Sequence, residues 1–358
     1  MKILLMNSAR TWGGTEKWTR MTAESLAADH DVYLAYGREI VGNRFTVTRY
    51  RLPCLSHIDL YTLFRLVRII RREKIGVIIP TKRKDYLLAG LAARICGITN
   101  ILRLGIERRL RMPIMHRLVY HTLADGIIVN AEKIKKSLLA SPFMKAEDIR
   151  VIYNGVDTAA IDRLREPPFR KNATFLVATA GVLTNRKGHD FLIRGFAGFL
   201  ESVPQADACL VIMGEGPKET ELRALAASLG IDDRILFTGF VDNPFPYMAS
   251  SDVFAMTSIN EGISNALLES MYLGNVPVST AAGGTAELLR NGENGFLVEY
   301  GDTKALSGIL ERLYFDPELR NRISVAAGRT VRENFTLASM QRAITGFCLE
   351  TQERRTGK

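Results

Sequence analysis

Val253-Phe254-Ala255-Met256, followed by Thr257-Ser258-Ile259-Asn260-Glu261-Gly262-Ile263-Ser264-Asn265-Ala266-Leu267-Leu268-Glu269, reads as a strand, a turn and the opening of a helix. Four unbroken apolar residues suit a strand covered on both faces, as in a parallel sheet. Gly262 permits a tight turn, and Ser264 and Asn265 are residue types that cap helices. The free amides and dipole of a helix opening near Ser264 favour an anion. Two carboxylates flank that start, Glu261 in the loop and Glu269 inside the helix. Acids this close would repel a ligand that was only phosphate. They suit a ligand that also presents hydroxyl groups on either side of a diphosphate. A solvated surface loop is the plain alternative.

Outward from this stretch the same alternation of short apolar strands and helices continues, the pattern of α/β domains with parallel sheets. Downstream of residue 173, strands are expected at Phe175–Ala180, Cys209–Met213, Ile235–Thr238, Val276–Ser279 and Phe296–Val298, with a last helix near Leu337–Arg354. Upstream they are expected at Lys2–Met6, Val32–Tyr36, Phe45–Arg51, Gly76–Ile79, Asn100–Leu104, Gly126–Val129 and Arg150–Tyr153. Helices fall between them at Thr15–Ala28, Leu60–Arg72, Asp85–Cys96, Pro113–Ala124 and Ala131–Ala140. Asn154-Gly155-Val156-Asp157 makes a turn, and the polar stretch to Ala173, with Pro167-Pro168, reads as a linker. Two domains result, residues 1–165 and 166–336. Open sheets of this kind bind ligands at the C-terminal ends of their strands, so two facing sheets would share a central cleft.

Three further segments stand directly after strands. Gly181-Val182-Leu183-Thr184-Asn185-Arg186-Lys187-Gly188 places a guanidinium and an ammonium where a diphosphate would need them; a basic helix-capping loop is the alternative. Gly214-Glu215-Gly216-Pro217 is either a tight turn or a nucleotide contact. Trp12-Gly13-Gly14-Thr15-Glu16 lets backbone approach a ligand, with Thr15 able to cap the next helix. It lacks G-x-G-x-x-G, which counts against a nicotinamide dinucleotide.

Glu261 with Glu269 forms an E-x7-E spacing that resembles the retaining GT-B glycosyltransferases of family 4, the bacterial group 1 type. The resemblance extends in order through Gly13 to Glu16, Asn154 to Asp157, Gly181 to Gly188, Gly214 to Gly216, Phe237-Thr238-Gly239-Phe240, Gly274 to Pro277 and Gly283-Gly284-Thr285-Ala286-Glu287. It implies two Rossmann-like domains, the first receiving the acceptor and the second the nucleotide-sugar, with the helix of about 337–358 packing back on the first. It implies a hexosyltransferase-type enzyme that takes a UDP-sugar and a lipid-linked, polysaccharide or lipopolysaccharide-type acceptor. Arg186 and Lys187 would hold the diphosphate and stabilise the leaving group. Glu261 would contact the donor sugar and Glu269 the ribose. Gly262, Ile263, Ser264, Asn265, Gly216 and, from the first domain, Gly14 would add donor contacts, with Val241 facing the base. Retention is attributed in this family to same-face attack, with the leaving phosphate accepting the proton. The family often carries a His after the fifth strand. Here the region reads Leu104-Gly105-Ile106-Glu107-Arg108-Arg109, so Glu107 or an arginine would take its place, unless Glu107 is a surface ion pair.

No metal or other cofactor is implied. Asp29-His30-Asp31, the sole D-x-D, precedes a strand and so sits away from the ligand edge. The chain has 358 residues, 47% apolar, with a net charge of +10. Residues 1–160 hold 27 Lys and Arg against 14 Asp and Glu, and the remainder 21 against 24. The first half therefore suits something anionic: a membrane surface, a phosphorylated acceptor or nucleic acid. Nucleic acid is disfavoured, because the basic clusters lack interleaved aromatics. Leu60, Leu63, Phe64, Val67 and Ile70 recur at helical spacing as a packing stripe, opposite a basic stripe of Arg65, Arg68 and Arg72. Lys82, Arg83, Lys84, Arg108 and Arg109 extend it. Each cation near an anionic bilayer is worth about 1 kcal/mol, so peripheral attachment to the inner membrane face is expected of an otherwise cytoplasmic protein. The short apolar start Lys2–Met6 is a strand, not a secretory leader. Cys54, Cys96, Cys209 and Cys348 show no metal or disulfide spacing and suit a reducing cytosol. A nucleotide-sugar epimerase, a phosphorylase of the same fold, a scaffold pseudoenzyme and a nucleic-acid-binding protein are the rival readings.

Overall fold

The computed structural model describes residues 1–56, 58–107, 110, 112–167, 169 and 173–357. The chain divides into two units, Met1–Gly155 with Leu337–Lys358, and Val156–Thr336. In the first, seven parallel strands form one sheet: β1 (Lys2–Asn7), β2 (Asp31–Tyr36), β3 (Thr48–Arg51), β4 (Val77–Pro80), β5 (Thr99–Leu104), β6 (Gly126–Val129) and β7 (Ile149–Val151). Their order is β3-β2-β1-β4-β5-β6-β7. The strand sequence runs outward from β1 in one direction and then from β4 in the other. Since parallel crossovers are right-handed, that reversal puts helices on both faces. Ile3, Leu4, Leu5 and Met6 are consequently fully buried on both sides of β1. The helix Leu337–Thr356 closes one face, with Met340, Ile344 and Phe347 packed in the core built on β1 and β2.

Residues Val156–Thr336 repeat the plan with six strands: β8 (Phe175–Ala180), β9 (Ala208–Met213), β10 (Ile235–Gly239), β11 (Val253–Met256), β12 (Val276–Thr280) and β13 (Phe296–Val298), in the order β10-β9-β8-β11-β12-β13. Phe175, Phe196 and Phe199 anchor its core with aliphatic residues of all six strands. Asp302 and Asp316 cap the helices Thr303–Phe315 and Pro317–Asn334 by accepting backbone N–H bonds, as N-cap carboxylates do.

Four local expectations change. The linker read from 154 to 173 contains a helix, Thr158–Leu164, capped by Asp157 and tied to the second unit by Tyr272, whose hydroxyl donates to Asp162. The division accordingly falls at 155/156 and not at 165/166. The strand expected at Phe45–Arg51 begins only at Thr48. Phe45 turns into the core beside Val41, and Thr48 and Arg49 are exposed on a sheet edge. Pro113–Ala124 is not one regular helix: the α-turn Pro113–Arg117 widens into a π-turn, Leu118–Thr122, that buries Val119 and Tyr120. In the helix Leu60–Glu73 the buried side is Thr62, Leu66, Ile69 and Ile70, whereas Leu60 and Phe64 face outward. Asp59 fixes this rotation, accepting both the amide and the hydroxyl of Thr62.

Candidate functional site

β8 and β11 are neighbours in the second sheet although three strands apart in sequence, so the direction of strand order reverses between them. Loops after such a pair leave in opposite directions and open a crevice. The loop after β8 carries Arg186 and Lys187, and the loop after β11 carries Glu261. Backbone and side-chain bonds zip the two loops together. The amide of Ile259 donates to the carbonyl of Arg186 at 2.8 Å, and the Thr257 hydroxyl donates to the carbonyl of Gly188 at 2.8 Å. Gly188 has φ +63, and a Cβ there would lie 2.1 Å from the Thr257 oxygen, so no other residue fits.

This clamp delivers the charges. Arg186 Nη1 donates to Glu261 Oε2 at 2.8 Å and to the carbonyl of Asn260 at 2.8 Å. Lys187 Nζ donates to the same Oε2 at 2.9 Å. Lys187 and Glu261 keep only 14% and 15% side-chain exposure, whereas Arg186 keeps 39%. Burial alone would raise the Glu261 carboxyl, but the charges of Lys187 and Arg186 outweigh it and hold it below the usual range. Glu261 is therefore ionised at neutral pH, and the cluster carries one net positive charge. Gly181 makes room for the Lys187 stem, since a Cβ there would come within 3.3 Å of it.

The helix Asn265–Tyr272 starts at this cluster, with Ser264 at its N-cap. The Ser264 side chain makes no capping bond, contrary to the expectation that it caps, and Thr15 likewise lies inside a helix whose N-cap is Gly13. The Ser258 hydroxyl and the Asn260 and Asn265 amide oxygens are buried here without a protein partner. Buried polar atoms are normally paired, so three orphans in one turn mark a place suited to a polar ligand. Gly262, Ile263 and Glu269 are buried in the same segment.

Gly214 and Gly216 have a structural cause: a Cβ on either would strike the carbonyl of Gly181 or Leu183, where the loops after β9 and β8 cross. Val241 follows β10, which is separated from β11 by β9 and β8, and is half-buried. Two contributors escaped sequence reasoning. His189 is buried next to Lys187, and burial together with that charge depresses it to about 4, leaving it neutral. Gly283, noted only within a motif, packs on the backbone of Glu261. Its position straight after β12, the neighbour of β11, was the available signal.

Gly14 belongs to the first unit, where it opens the helix Gly14–Leu26 with free space around its Cα. Of the basic residues there, Arg65, Arg68 and Arg83 keep exposed or half-exposed heads. Lys82 pairs with buried Glu16, Lys84 donates to the carbonyl of Cys54, and Arg72 pairs with Glu73. Glu107 lies 4.0 Å from Lys133, a loose ion pair. Arg108 and Arg109 lie outside the described residues. Asp29 accepts a bond from Gln341 and Asp31 opens β2, so Asp29-His30-Asp31 is a helix-to-strand turn. Among the described residues no helix is long and apolar enough to cross a membrane.

Known proteins place this architecture. Residues 12–160 match the model of the Glycosyltransferase Family 4, and residues 174–316 that of the Glycosyl transferases group 1. The lipopolysaccharide core biosynthesis glycosyltransferase LpsE of Rhizobium meliloti is 31% identical over 63% of this chain and 66% of its own length. An N-acetylgalactosaminyltransferase of Campylobacter jejuni, acting on a diphospho-undecaprenol-linked sugar, is 31% identical over 55% of this chain and 53% of its own length. The chain thus spans only about half to two thirds of these curated relatives. The crystal structure of Anabaena HepE in complex with UDP-glucose superposes over 98% of this chain and 100% of its own, with a TM-score of 0.81 at 20% identity. With one model on each unit and the fold shared from end to end, the chain belongs to the group 1 glycosyltransferases of GT-B fold.

Proposed function

We propose that the protein transfers a sugar from a UDP-sugar to a lipid-linked or lipopolysaccharide-type glycan, with retention of anomeric configuration. One observation carries this reading: Arg186 and Lys187 converge on Glu261 at the strand-order reversal, against the start of the helix Asn265–Tyr272. Two cations fixed by short bonds in a mostly buried corner are preorganised for charge that grows on a leaving diphosphate, usually the largest contribution to catalysis. The UDP-glucose complex of HepE supports the donor, and the substrates named for the R. meliloti and C. jejuni relatives support the acceptor class.

In this reading Arg186 and Lys187 hold the diphosphate, and the amides of Gly262 to Asn265 assist. Glu261 orients the donor sugar, Glu269 the ribose and Val241 the base. The acceptor oxygen bonds to the anomeric carbon on the face that the phosphate oxygen leaves, and that phosphate takes the acceptor proton. The two side-chain cations make a metal unnecessary. The basic first unit meets the acceptor at the cytoplasmic face of a membrane.

Melting measured with UDP, GDP, ADP and their sugars tests the donor. A ligand at 100 times its dissociation constant adds about 2.7 kcal/mol, and no shift with any of them sinks the proposal. Proton NMR of the product then separates the rivals. A retained glycoside supports transfer, an isomerised donor an epimerase, and a sugar phosphate a phosphorylase.

A further inference from the structure

We infer that Glu261 lets this site tell a sugar-bearing diphosphate from a bare one. It occupies the two cations until a donor sugar draws it off, then returns to them and expels the diphosphate left after transfer. The inference rests on the donor reading above and adds to it a cause for product release.

One oxygen carries the argument. Arg186 Nη1 and Lys187 Nζ both donate to Glu261 Oε2, at 2.8 and 2.9 Å. A cation meets a phosphate oxygen at about the same distance, 2.7–2.9 Å, so Oε2 stands where a diphosphate oxygen is wanted. Among the described residues the Lys187 ammonium bonds to nothing else, and nothing bonds to Glu261 Oε1. A diphosphate that engages both cations must therefore displace the carboxylate or lie against its full negative charge, which is costly in a partly buried corner.

The backbone cannot make the room. The Ile259 amide is bonded to the carbonyl of Arg186, and Gly283 and Gly284 close on the carbonyl of Glu261. Only the side chain can turn away, and it then needs new donors in place of two charge-assisted bonds. The hydroxyl groups of a donor sugar supply them. A bare terminal phosphate offers only acceptors, and it carries about −1.5 to −2 charges at neutral pH, more than the same phosphate esterified to a sugar. A nucleotide-sugar thus compensates Glu261, whereas the nucleoside diphosphate repels it.

The alternative is a permanent ion cluster that only braces the loops. Such a cluster would have its polar neighbours paired, but the Ser258 hydroxyl and the Asn265 amide oxygen beside it, both more than nine-tenths buried, have no protein partner. Arg186 also keeps 39% side-chain exposure, so the cluster is open on its guanidinium side.

Titration calorimetry of the whole chain with UDP, UDP-glucose and inorganic pyrophosphate is the test. Glu261→Gln should bind UDP and pyrophosphate about tenfold more tightly, roughly the worth of one charge-assisted hydrogen bond. UDP-glucose should gain nothing, so the preference for the sugar-bearing ligand should shrink or invert, and UDP should become a stronger product inhibitor. Glu261→Asp keeps the charge but withdraws it from the cations by one methylene, and should tighten UDP by a smaller factor. Asp190→Asn removes an exposed acid that bonds to neither cation, and should change each affinity by less than about twofold. If Glu261→Gln melts far below the parent without ligand, the Glu261→Asp titration decides. The inference is overturned if UDP and pyrophosphate bind the Glu261 variants no more tightly than the parent, which makes the carboxylate a brace. It is also overturned if UDP-glucose gains as much as UDP, or if Asp190→Asn gives the same gain, since net charge alone then accounts for it. Should UDP and UDP-glucose bind no version while pyrophosphate still gains on Glu261→Gln, the nucleotide assignment fails and displacement of Glu261 by a diphosphate stands.

Discussion

Gly283 lies against the carbonyl of Glu261 with no room for a side chain: its φ is +59, and a Cβ would fall 1.4 Å from that oxygen. The next amide, of Gly284, donates to the same carbonyl at 3.2 Å. The loop after β12 thus forms the floor on which the backbone of Glu261 rests. Gly283→Ala must push the carboxylate away from Arg186 and Lys187. Turnover should fall about a hundredfold, the scale of losing one preorganised contact, while the UDP melting shift should mostly survive. Kinetics beside melting decides; an enzyme with parental turnover removes Gly283 from the positioning role.

Lys187 and Arg186 differ in burial, and their replacements should differ too. Lys187→Ala removes the more buried cation and should cost about 100- to 1,000-fold in turnover with a weaker UDP shift. Arg186→Lys keeps the charge but shortens the side chain whose Nη1 holds both the Asn260 carbonyl and Glu261, so it should also be impaired. Chelating divalent ions should leave the parent rate unchanged in product assays. A rate lost to the chelator and restored by magnesium refutes the assignment of charge neutralisation to these side chains.

Phe347 is 1% exposed and belongs to the first unit's core although it comes from the chain's end. Phe347→Ala should cost about 3–5 kcal/mol. Calorimetry should show the loss in the first unit, with the UDP-dependent stabilisation of residues 156–336 retained. A loss shared equally by both units contradicts their independence.

Asp85 and His189 should tilt stability in opposite directions with pH. Burial lifts Asp85 to about 6 against the pull of Ser8, Lys84 and Lys82. Its folded value exceeds the unfolded one, so its contribution is complete below about pH 4 and is lost as pH rises to about 6. His189 is depressed to about 4 by burial and Lys187. Its contribution is complete above about pH 6.5 and is lost as pH falls towards 4. Each is worth on the order of 3 kcal/mol, in different units. Calorimetry from pH 4.5 to 6.5 should show the first unit weakening and the second strengthening, and Asp85→Asn should flatten only the first trend. An unaltered slope in that variant means that Asp85 does not titrate as described.

Much of this was legible in the residues. Buried strands announced themselves by unbroken apolar runs, so Phe175–Ala180, Gly126–Val129 and Phe296–Val298 fall where their composition puts them. The meeting of Arg186, Lys187 and Glu261 was legible because each directly follows a strand, and strand ends of a parallel sheet share one edge. Periodicity failed where apolar residues line both sides of a helix: in Leu60–Glu73 only the Asp59 cap decides that Leu66 turns in and Phe64 out. The burial of His189 beside Lys187 was invisible, and of Gly283 only its place after a strand could be read, since close contact across loops leaves no local pattern. Lys82 and Lys84 looked like surface charge, but their partners Glu16 and Cys54 lie far along the chain.

Val156 and Thr336, the first and last residues of the second unit, pair side by side, and the Val156 amide donates to the carbonyl of Phe335 at 2.8 Å. On the other side of the division, the Gly155 amide contacts Met340 Sδ at 3.2 Å. Residues 156–336 are thus an insertion whose two ends lie side by side, so a short splice could bypass it. Joining residue 155 to 337 with a few glycines should leave the first unit self-standing, a gene rearrangement open to evolution and to the bench alike.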